Sequence, residues 1–475
     1  TGFNGLRVFT VGDETVSPIR LNPFEVPAGV MVQTHVDYLK SLFAAAFVLY
    51  PPMPYILEQS IQEVYEDRGW NLAMNVNLRG QETYRCFPNL SDLSAKIPVI
   101  IDRMGYDERI SMDVKAGLLA RVNQLRIGGG KGQMLDTRRS LSVEEFFEHP
   151  TILELKQIVS DDEKAFIIGL LLVRLYEYYE SKEKQQNKEL AHLTLIEEAH
   201  RLLRNVSTQQ GSDVSANPQG KAIEVFANIL SEIRAYGEGI AIAEQVPTKL
   251  TPDALKNTNL KIVHRLVAED DRKAVGGTMK LTDRQNRFLT TLVAGEGIVY
   301  AEGMQQPSLI QVPLASAKAD GKEVSGKAVR ELMEDFWSQR NEILYPFHGC
   351  CHCPTVKKKQ QCGKKKSLYE DTQLDEAACR FFNALRLNKV YVVDSYLEYE
   401  LISRRSVPRR SVFCLLIESL EAQIDRRGEF GSWQYSDIEK LIHAGSLIIY
   451  ELTTNLSNNE RKSFEKSLAR DLRSF

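Results

Sequence analysis

The 475-residue chain has no excess of charge of either sign, no membrane-length apolar run, no signal-like opening and too few cysteines for a disulfide scaffold. Each absence removes a class of protein. A formal net charge of −3 gives no global pull toward nucleic acid, so any such binding must come from a local basic patch or from a surface made by assembly. The richest apolar stretch, AFIIGLLLVRLYEYY at 165–179, is broken by Arg174 and Glu177 and reads as a buried helix rather than a span. Seven cysteines, five of them between 350 and 379, suit a reducing cytoplasm, and Cys86 and Cys414 stand alone in apolar surroundings. TGFNGLRVFTVG lacks the charged head, apolar middle and cleavage site of a secretion signal, and its start at Thr1 reads as a cut into a longer polypeptide. There is no internal repeat. What remains is a cytoplasmic globular chain with no membrane partner, long enough for two or three domains.

Periodicity divides the chain. After a short strand in LRVFTVGD and an extended segment marked by Pro18, Pro23 and Pro27, helical patterns cover 36–50, 55–70, 91–104 and 107–126, so 1–150 reads as a mainly helical region. At TILELKQI, 151–158, the pattern changes to a strand, followed by a capping box from Ser160 to Glu163 and a helix to about residue 180. Strand and helix then alternate through HLTLIEE, KAIEVFANILSEIRAYG, GIAIAEQ, LKIVHRL and GIVYAEG, which predicts an α/β core at 151–315: a parallel sheet with helices on both faces. The polar segment 205–220 reads as mobile. Past a linker near 316–326, residues 323–475 form a mainly helical C-terminal region with a Cys/His module at 345–380.

The stretch with most chemical content is LTLIEEAHRLL, 193–203, an apolar strand that ends in Glu197 and Glu198 and turns at once into a helix. Paired acids at such a strand end form half of a phosphate-transfer site, in which one acid holds a magnesium shell and the next polarises the attacking water. The other half, a GxxxxGK[ST] loop that wraps a triphosphate, is absent from the sequence. RIGGGKGQML at 126–135 is no substitute: Gly132 follows Lys131 where a hydroxyl is required, and a helix precedes it where a strand is needed, so it reads as a helix C-cap and loop. Ligands gather at the carboxyl ends of strands in a doubly wound sheet, so IEE at 196–198 and AEQ at 243–245 should lie side by side. Glu197 then holds the magnesium shell, Glu198 is the general base, and Gln245 orients the γ-phosphate and water. The competing reading makes the acids a cap for the next helix.

IEEAHRLL, AEQVPTKLTPDALKNTNLKIVHRL and LTTLVAGEGIVYAEGMQQPSLIQV resemble the C-terminal half of the HerA/FtsK-type P-loop motor ATPases, and HerA-like proteins in particular; VFTVGDETVSPIRLNPFE resembles the segment next after the Walker A helix there. The similarity covers roughly residues 6–315. It implies a RecA-like core, with ATP and Mg2+ as cofactors. It carries the Walker B and catalytic acids onto Glu197 and Glu198, and the family glutamine onto Gln245. Glu197 stands where many members have Asp, and the Walker A lysine and hydroxyl would lie upstream of Thr1. Members form homo-hexameric rings that pump duplex DNA, several beside nucleases or within anti-phage systems. Such rings complete the site with an arginine from the next subunit; Arg234 is the first candidate and Arg265 the second, each with an ordinary salt bridge as its alternative. Arg272 reads as a helix-surface ion pair and His200 as a structural hydrogen-bonding residue.

In YPFHGCCHCPTVKKKQQCGKKK, Cys350 and Cys353 make a CxxC followed by Cys362 and, further on, Cys379, spacings that suit a tetrahedral Zn2+ site with His348 or His352 as substitute ligands. Reduced surface cysteines are the alternative. The six lysines between 357 and 366 read either as phosphate contacts or as a solvated run. The leading expectation is therefore the ATPase-core portion of a hexameric DNA translocase or helicase, in DNA processing or antiviral defence, with a nuclease or other effector as partner. The alternatives are a non-catalytic ring scaffold that activates an effector, and a zinc-containing nucleic-acid-binding protein with a vestigial ATPase fold.

Overall fold

The computed structural model describes residues 5–78, 86–127, 130–137, 140–182, 189–206, 218–314 and 324–340. The chain divides into two compact units that interleave in sequence, Thr1–Glu63 with Asn89–Thr137 and Leu141–Met333, and Val64–Pro88 with Arg138–Ser140 and Glu334–Phe475. In chain order the first elements are β1 (Arg7–Thr10), α1 (Val32–Ala46), α2 (Met53–Asp67), β2 (Trp70–Asn71), β3 (Val76–Asn77), α3 (Leu90–Met104), α4 (Glu108–Arg126), α5 (Gly130–Leu135) and α6 (Val143–Phe147). Then come β4 (Thr151–Glu154), α7 (Asp161–Ser181), β5 (His192–Glu197), α8 (Pro218–Glu232), β6 (Glu238–Ala243), α9 (Pro252–Asn257) and β7 (Leu260–Val263). The last are α10 (Glu269–Thr278), α11 (Asp283–Phe288), β8 (Glu296–Ala301), β9 (Ser308–Gln311) and α12 (Gly326–Ser338). No helix among the described residues is long and apolar enough to cross a membrane.

The fold is α/β with parallel strands, as the alternation predicts. β1 runs parallel to β4 with Arg7 opposite Thr151, and β5 parallel to β6 with His192 opposite Glu238 and Glu197 opposite Ala243. The expectation of parallel pairing does not extend to LKIVHRL and GIVYAEG: β7 pairs antiparallel with β8, and β8 antiparallel with β9. The intervening α10 and α11 bring the chain back against its own outgoing strand, and Val275, Met279, Leu289, Leu292, Ile298 and Tyr300 close a small core around that return. An antiparallel pair needs no crossover, so two short helices suffice. RIGGGKGQML also departs from expectation. Its Gly130–Leu135 part is helical, and Gly132 lies so close to the carbonyl of Arg126 that no Cβ would fit. Residues 207–217 of the polar segment, and Cys350, Cys353, Cys362 and Cys379 with His348 and His352, lie outside the described residues.

α7 is the structural centre of the first unit. Ser160 caps it by accepting from the Glu163 N–H, and both the apolar positions and Glu163, Arg174 and Glu177 are buried. A helix apolar nearly all round is an interior helix. The two charges that interrupt its run are each met by one internal partner: the Glu177 carboxylate bonds the fully buried His35 ring Nδ1 at 2.5 Å, and Arg174 donates to the Asn22 carbonyl at 2.7 Å, while Glu177 Oε2 and Arg174 Nε find no hydrogen-bond partner among the described residues. Phe166 meets Phe43 of α1 edge to face at 5.0 Å. At Gly169 three neighbours converge. A Cβ there would clash with Leu42 Cδ1 and stand 3.2 Å from Leu202 Cδ1 and 3.3 Å from Phe226 Cε1, so glycine lets α1, α8 and the turn after β5 close on α7 together.

That convergence outweighs helix propensity, by which any side chain would improve on glycine by up to ~1 kcal/mol. Gly169→Val is expected to lower stability by about 1–3 kcal/mol, because Leu42, Leu202 and Phe226 are buried and have nowhere to move. Urea unfolding compared with the wild type checks this; an unchanged or raised midpoint would mean the packing there is loose.

Candidate active site

β5 delivers the paired acids. Its register with β6 runs to Glu197 opposite Ala243, and one further rung is made by the Glu198 N–H, which donates to the Ala243 carbonyl at 2.9 Å. Glu197, Glu198 and Gln245 therefore stand at the same end of two neighbouring parallel strands, the arrangement expected from IEE and AEQ. The chain then leaves the sheet sharply. Glu198 has φ 51° and ψ 48°, a left-handed conformation that costs a side-chain-bearing residue about 1–2 kcal/mol. It leads into a single 3-10 turn, Ala199–Arg201, and not the helix that the sequence suggests. Ala199, Leu202 and Leu203 are all buried, so this segment is shaped by packing rather than by helical repeat. The reading of the acids as helix caps loses its basis, since one 3-10 turn has little dipole and the Glu198 side chain makes no capping bond.

The three side chains differ in their freedom. Glu197 is exposed and has no ion-pair partner among the described residues, so its oxygens are available to a hydrated divalent cation. Gln245 is exposed as well. Glu198 is partly exposed and accepts from Arg201 Nε at 2.8 Å.

Between them lies Glu244, whose role the sequence does not reveal. Its side chain is 6% exposed. One oxygen accepts from the His200 N–H at 3.3 Å and from His200 Nδ1 at 2.7 Å. The other accepts from the Gln245 N–H at 2.8 Å and the Val246 N–H at 3.1 Å. His200 thus has the structural hydrogen bond expected of it. Burial pushes the Glu244 carboxyl up, but the bonds from Val246 and His200 outweigh it and hold the group below the usual carboxylate range. At the far end of the same strand pair a second buried acid, Glu238, takes His192 Nδ1 at 2.6 Å, the Thr194 hydroxyl at 2.7 Å and the Tyr179 hydroxyl at 2.9 Å.

The arginines fall elsewhere. Arg234 is exposed in the 3-10 turn Ile233–Tyr236 that leads into β6, at the opposite end of the strand from Gln245 and so roughly 20 Å from it. Arg265 is exposed just beyond β7. Among the described residues Arg272 makes no ion pair: its guanidinium bonds the Val267 carbonyl, and it is Lys273 that pairs with Glu269 on α10, at 2.6 Å. Arg201 is the neighbour of Glu198 that sequence reasoning missed, although its spacing of three from Glu198 is that of neighbouring side chains on a helical turn.

Glu244→Gln replaces a charged acceptor of four N–H donors with a neutral one and is expected to cost about 1–3 kcal/mol near pH 7. A carboxyl held below its ordinary value stabilises the fold fully above that value, about 4.3, and the contribution disappears as pH falls through the depressed one. The wild-type advantage over Glu244→Gln should accordingly persist to about pH 5 and shrink in more acidic solution. Urea midpoints measured across that range check it; a difference independent of pH would mean that the charge is not what holds the turn.

No family model matches the chain. Among curated proteins it is 26% identical over 134 residues to the "Probable DNA double-strand break repair helicase HerA" of Methanocaldococcus jannaschii, covering 28% of this chain and 24% of the relative. It is 27% identical over 140 residues to the DNA double-strand break repair helicase HerA of Pyrococcus furiosus, covering 29% of this chain and 22% of that protein. The matched stretch thus spans about a quarter of the length of these curated relatives. Among solved structures, VirB4 of Thermoanaerobacter pseudethanolicus aligns over 66% of this chain and 83% of its own, with 17% identity and a TM-score of 0.45. In sequence, then, the chain is similar to HerA-type helicases, which agrees with the resemblance to HerA-like P-loop motor ATPases read from its motifs.

Proposed function

We propose that this chain is the ATPase-core portion of a HerA-like motor that assembles as a homo-hexameric ring and moves on DNA at the expense of ATP, with a nuclease or other effector as its partner. The observation that carries the reading is the register of β5 and β6, which sets two acids and a glutamine at one end of parallel strands, with Glu198 alone of the three engaged by another side chain among the described residues. In this reading Glu197 holds the water shell of a magnesium ion, which when bound offsets charge on the phosphates. Glu198 accepts the proton of the attacking water, and Gln245 orients that water.

The phosphate cradle has to come from sequence outside these 475 residues, because no GxxxxGK[ST] occurs within them. An uncovered apolar side of the strands supports this. Leu193 and Leu195 share one side of β5 and are 60% and 63% exposed, and Leu260 and Ile262 share one side of β7 and are 58% and 51% exposed, as apolar strand faces that await cover would be. Arg234, too far along β6 to serve its own site, suits action on a neighbouring subunit; Arg265 is the second candidate.

The chain by itself is expected to release no phosphate from ATP above a Glu198→Gln control, since carboxylates without a cradle cannot align the substrate. In the complete protein, Glu198→Gln is expected to reduce hydrolysis by about 100-fold or more while ATP binding survives. A variant that loses affinity and rate together would make Glu198 a structural residue. Arg234→Ala rings should be inactive alone and regain activity when mixed with Glu198→Gln subunits, because some interfaces then carry both intact residues. A purely additive loss, with subunit exchange demonstrated, would transfer the assignment to Arg265.

A further inference from the structure

Arg201 lies between two acids from different parts of the chain. Its Nε donates to Glu198 Oε2 at 2.8 Å with a second guanidinium nitrogen on the same oxygen, and its remaining nitrogen pairs with the carboxylate of Asp161, the first residue of α7. The guanidinium is the most enclosed of the three groups, with its side chain 18% exposed against 43% for Glu198 and 66% for Asp161. Next to it Arg204 stands 3.6 Å from Asp162, so a second basic residue faces the acidic first turn of α7.

From this arrangement we infer that Arg201 is a positioning residue that restrains Glu198 in the resting protein. The inference rests on the reading of Glu198 as the base. Both bonds fall on Oε2 and fix the direction of the carboxylate, which cannot swing to line up with an attacking water until the pair opens. Two features make it able to open. Asp161 remains as an acceptor when Glu198 leaves, so Arg201 is never stranded without a partner. Arg204 and Asp162 keep the turn against α7 meanwhile, so that release frees one carboxylate without undocking the segment. Asp161 and Glu198 therefore hold one guanidinium at once through different nitrogens, and the pull of Asp161 weakens the hold on Glu198 and sets how firmly the base is restrained.

Steady-state ATP hydrolysis by the complete protein tests this with four chains: wild type, Glu198→Gln, Arg201→Gln and Asp161→Asn. Arg201→Gln is expected to raise kcat about two- to five-fold with KM unchanged, the range that a partly exposed ion pair can supply. Asp161→Asn, an exposed conservative change that leaves the fold intact, should lower kcat by a similar factor, because Arg201 then rests wholly on Glu198. The double variant should match Arg201→Gln, since without the guanidinium Asp161 has nothing through which to act on Glu198. Arg201→Lys should fall back toward wild type, as it restores the charge. Wild type no faster than Glu198→Gln would overturn the base assignment and this inference with it. Wild type faster than Glu198→Gln, but with Arg201→Gln at or below the wild-type rate or with Asp161→Asn at or above it, would overturn the restraint alone.

Discussion

The carboxylate of Glu244 is the contact on which the site depends. Two strands in register do not by themselves align the segments that leave them, because each chain is free to turn once the ladder ends. Here the residue after β6 binds the main chain and ring of His200, two residues beyond Glu198, and the main chain of Gln245 and Val246 on its own side. Both exits are thereby fixed to one buried acid. Four N–H donors on a single ionised acceptor also account for its retained charge at 6% exposure. The acids and the glutamine proposed for chemistry are relieved of structural duty.

Glu238 does the same at the other end of the pair, joining His192 and Thr194 of β5 to Tyr179 of α7. A parallel pair of six-residue strands is short and weak alone. Acid braces at both ends, and the all-round burial of α7 beneath, hold it. The left-handed conformation of Glu198 is tolerated in this setting: its N–H is used by the Ala243 carbonyl and its side chain by Arg201, while Leu202 is packed against Gly169. The turn is over-determined by its surroundings, the condition under which strained residues persist at working sites.

Burial and exposure separate stability from the proposed chemistry. The groups that hold the strands, Glu238 and Glu244, are enclosed, while Glu197, Gln245, Arg234 and Arg265 are exposed. Glu198 and Arg201 lie between these extremes and touch each other, so the residue proposed as base is also the one whose freedom the fold controls.

The local part of this protein was legible in its sequence. Helices α1 to α4, α7 and α8 follow apolar spacing of three and four, Ser160 marks the start of α7, and β5 and β6 are runs of alternating or continuous apolar residues; local sterics and burial act over a few residues, and pattern reports them. The pairing of IEE with AEQ was legible too, because one crossover helix between two such strands leaves parallel neighbours as the natural outcome. Tertiary structure decided what depends on partners distant in the chain. The antiparallel return of β8 beside β7 arises from a small core closed by α10 and α11, the single 3-10 turn after Glu198 from the burial of Ala199, Leu202 and Leu203, and the helical Gly130–Leu135 from a glycine lying against Arg126. The meeting of Arg201 with Asp161 joins the two ends of a long stretch of chain, and the choice of Glu244 rather than its neighbours as the buried acid rests on where His200 comes to lie. Those are contacts between segments that no local periodicity encodes, since their energy appears only when the segments have already been brought together.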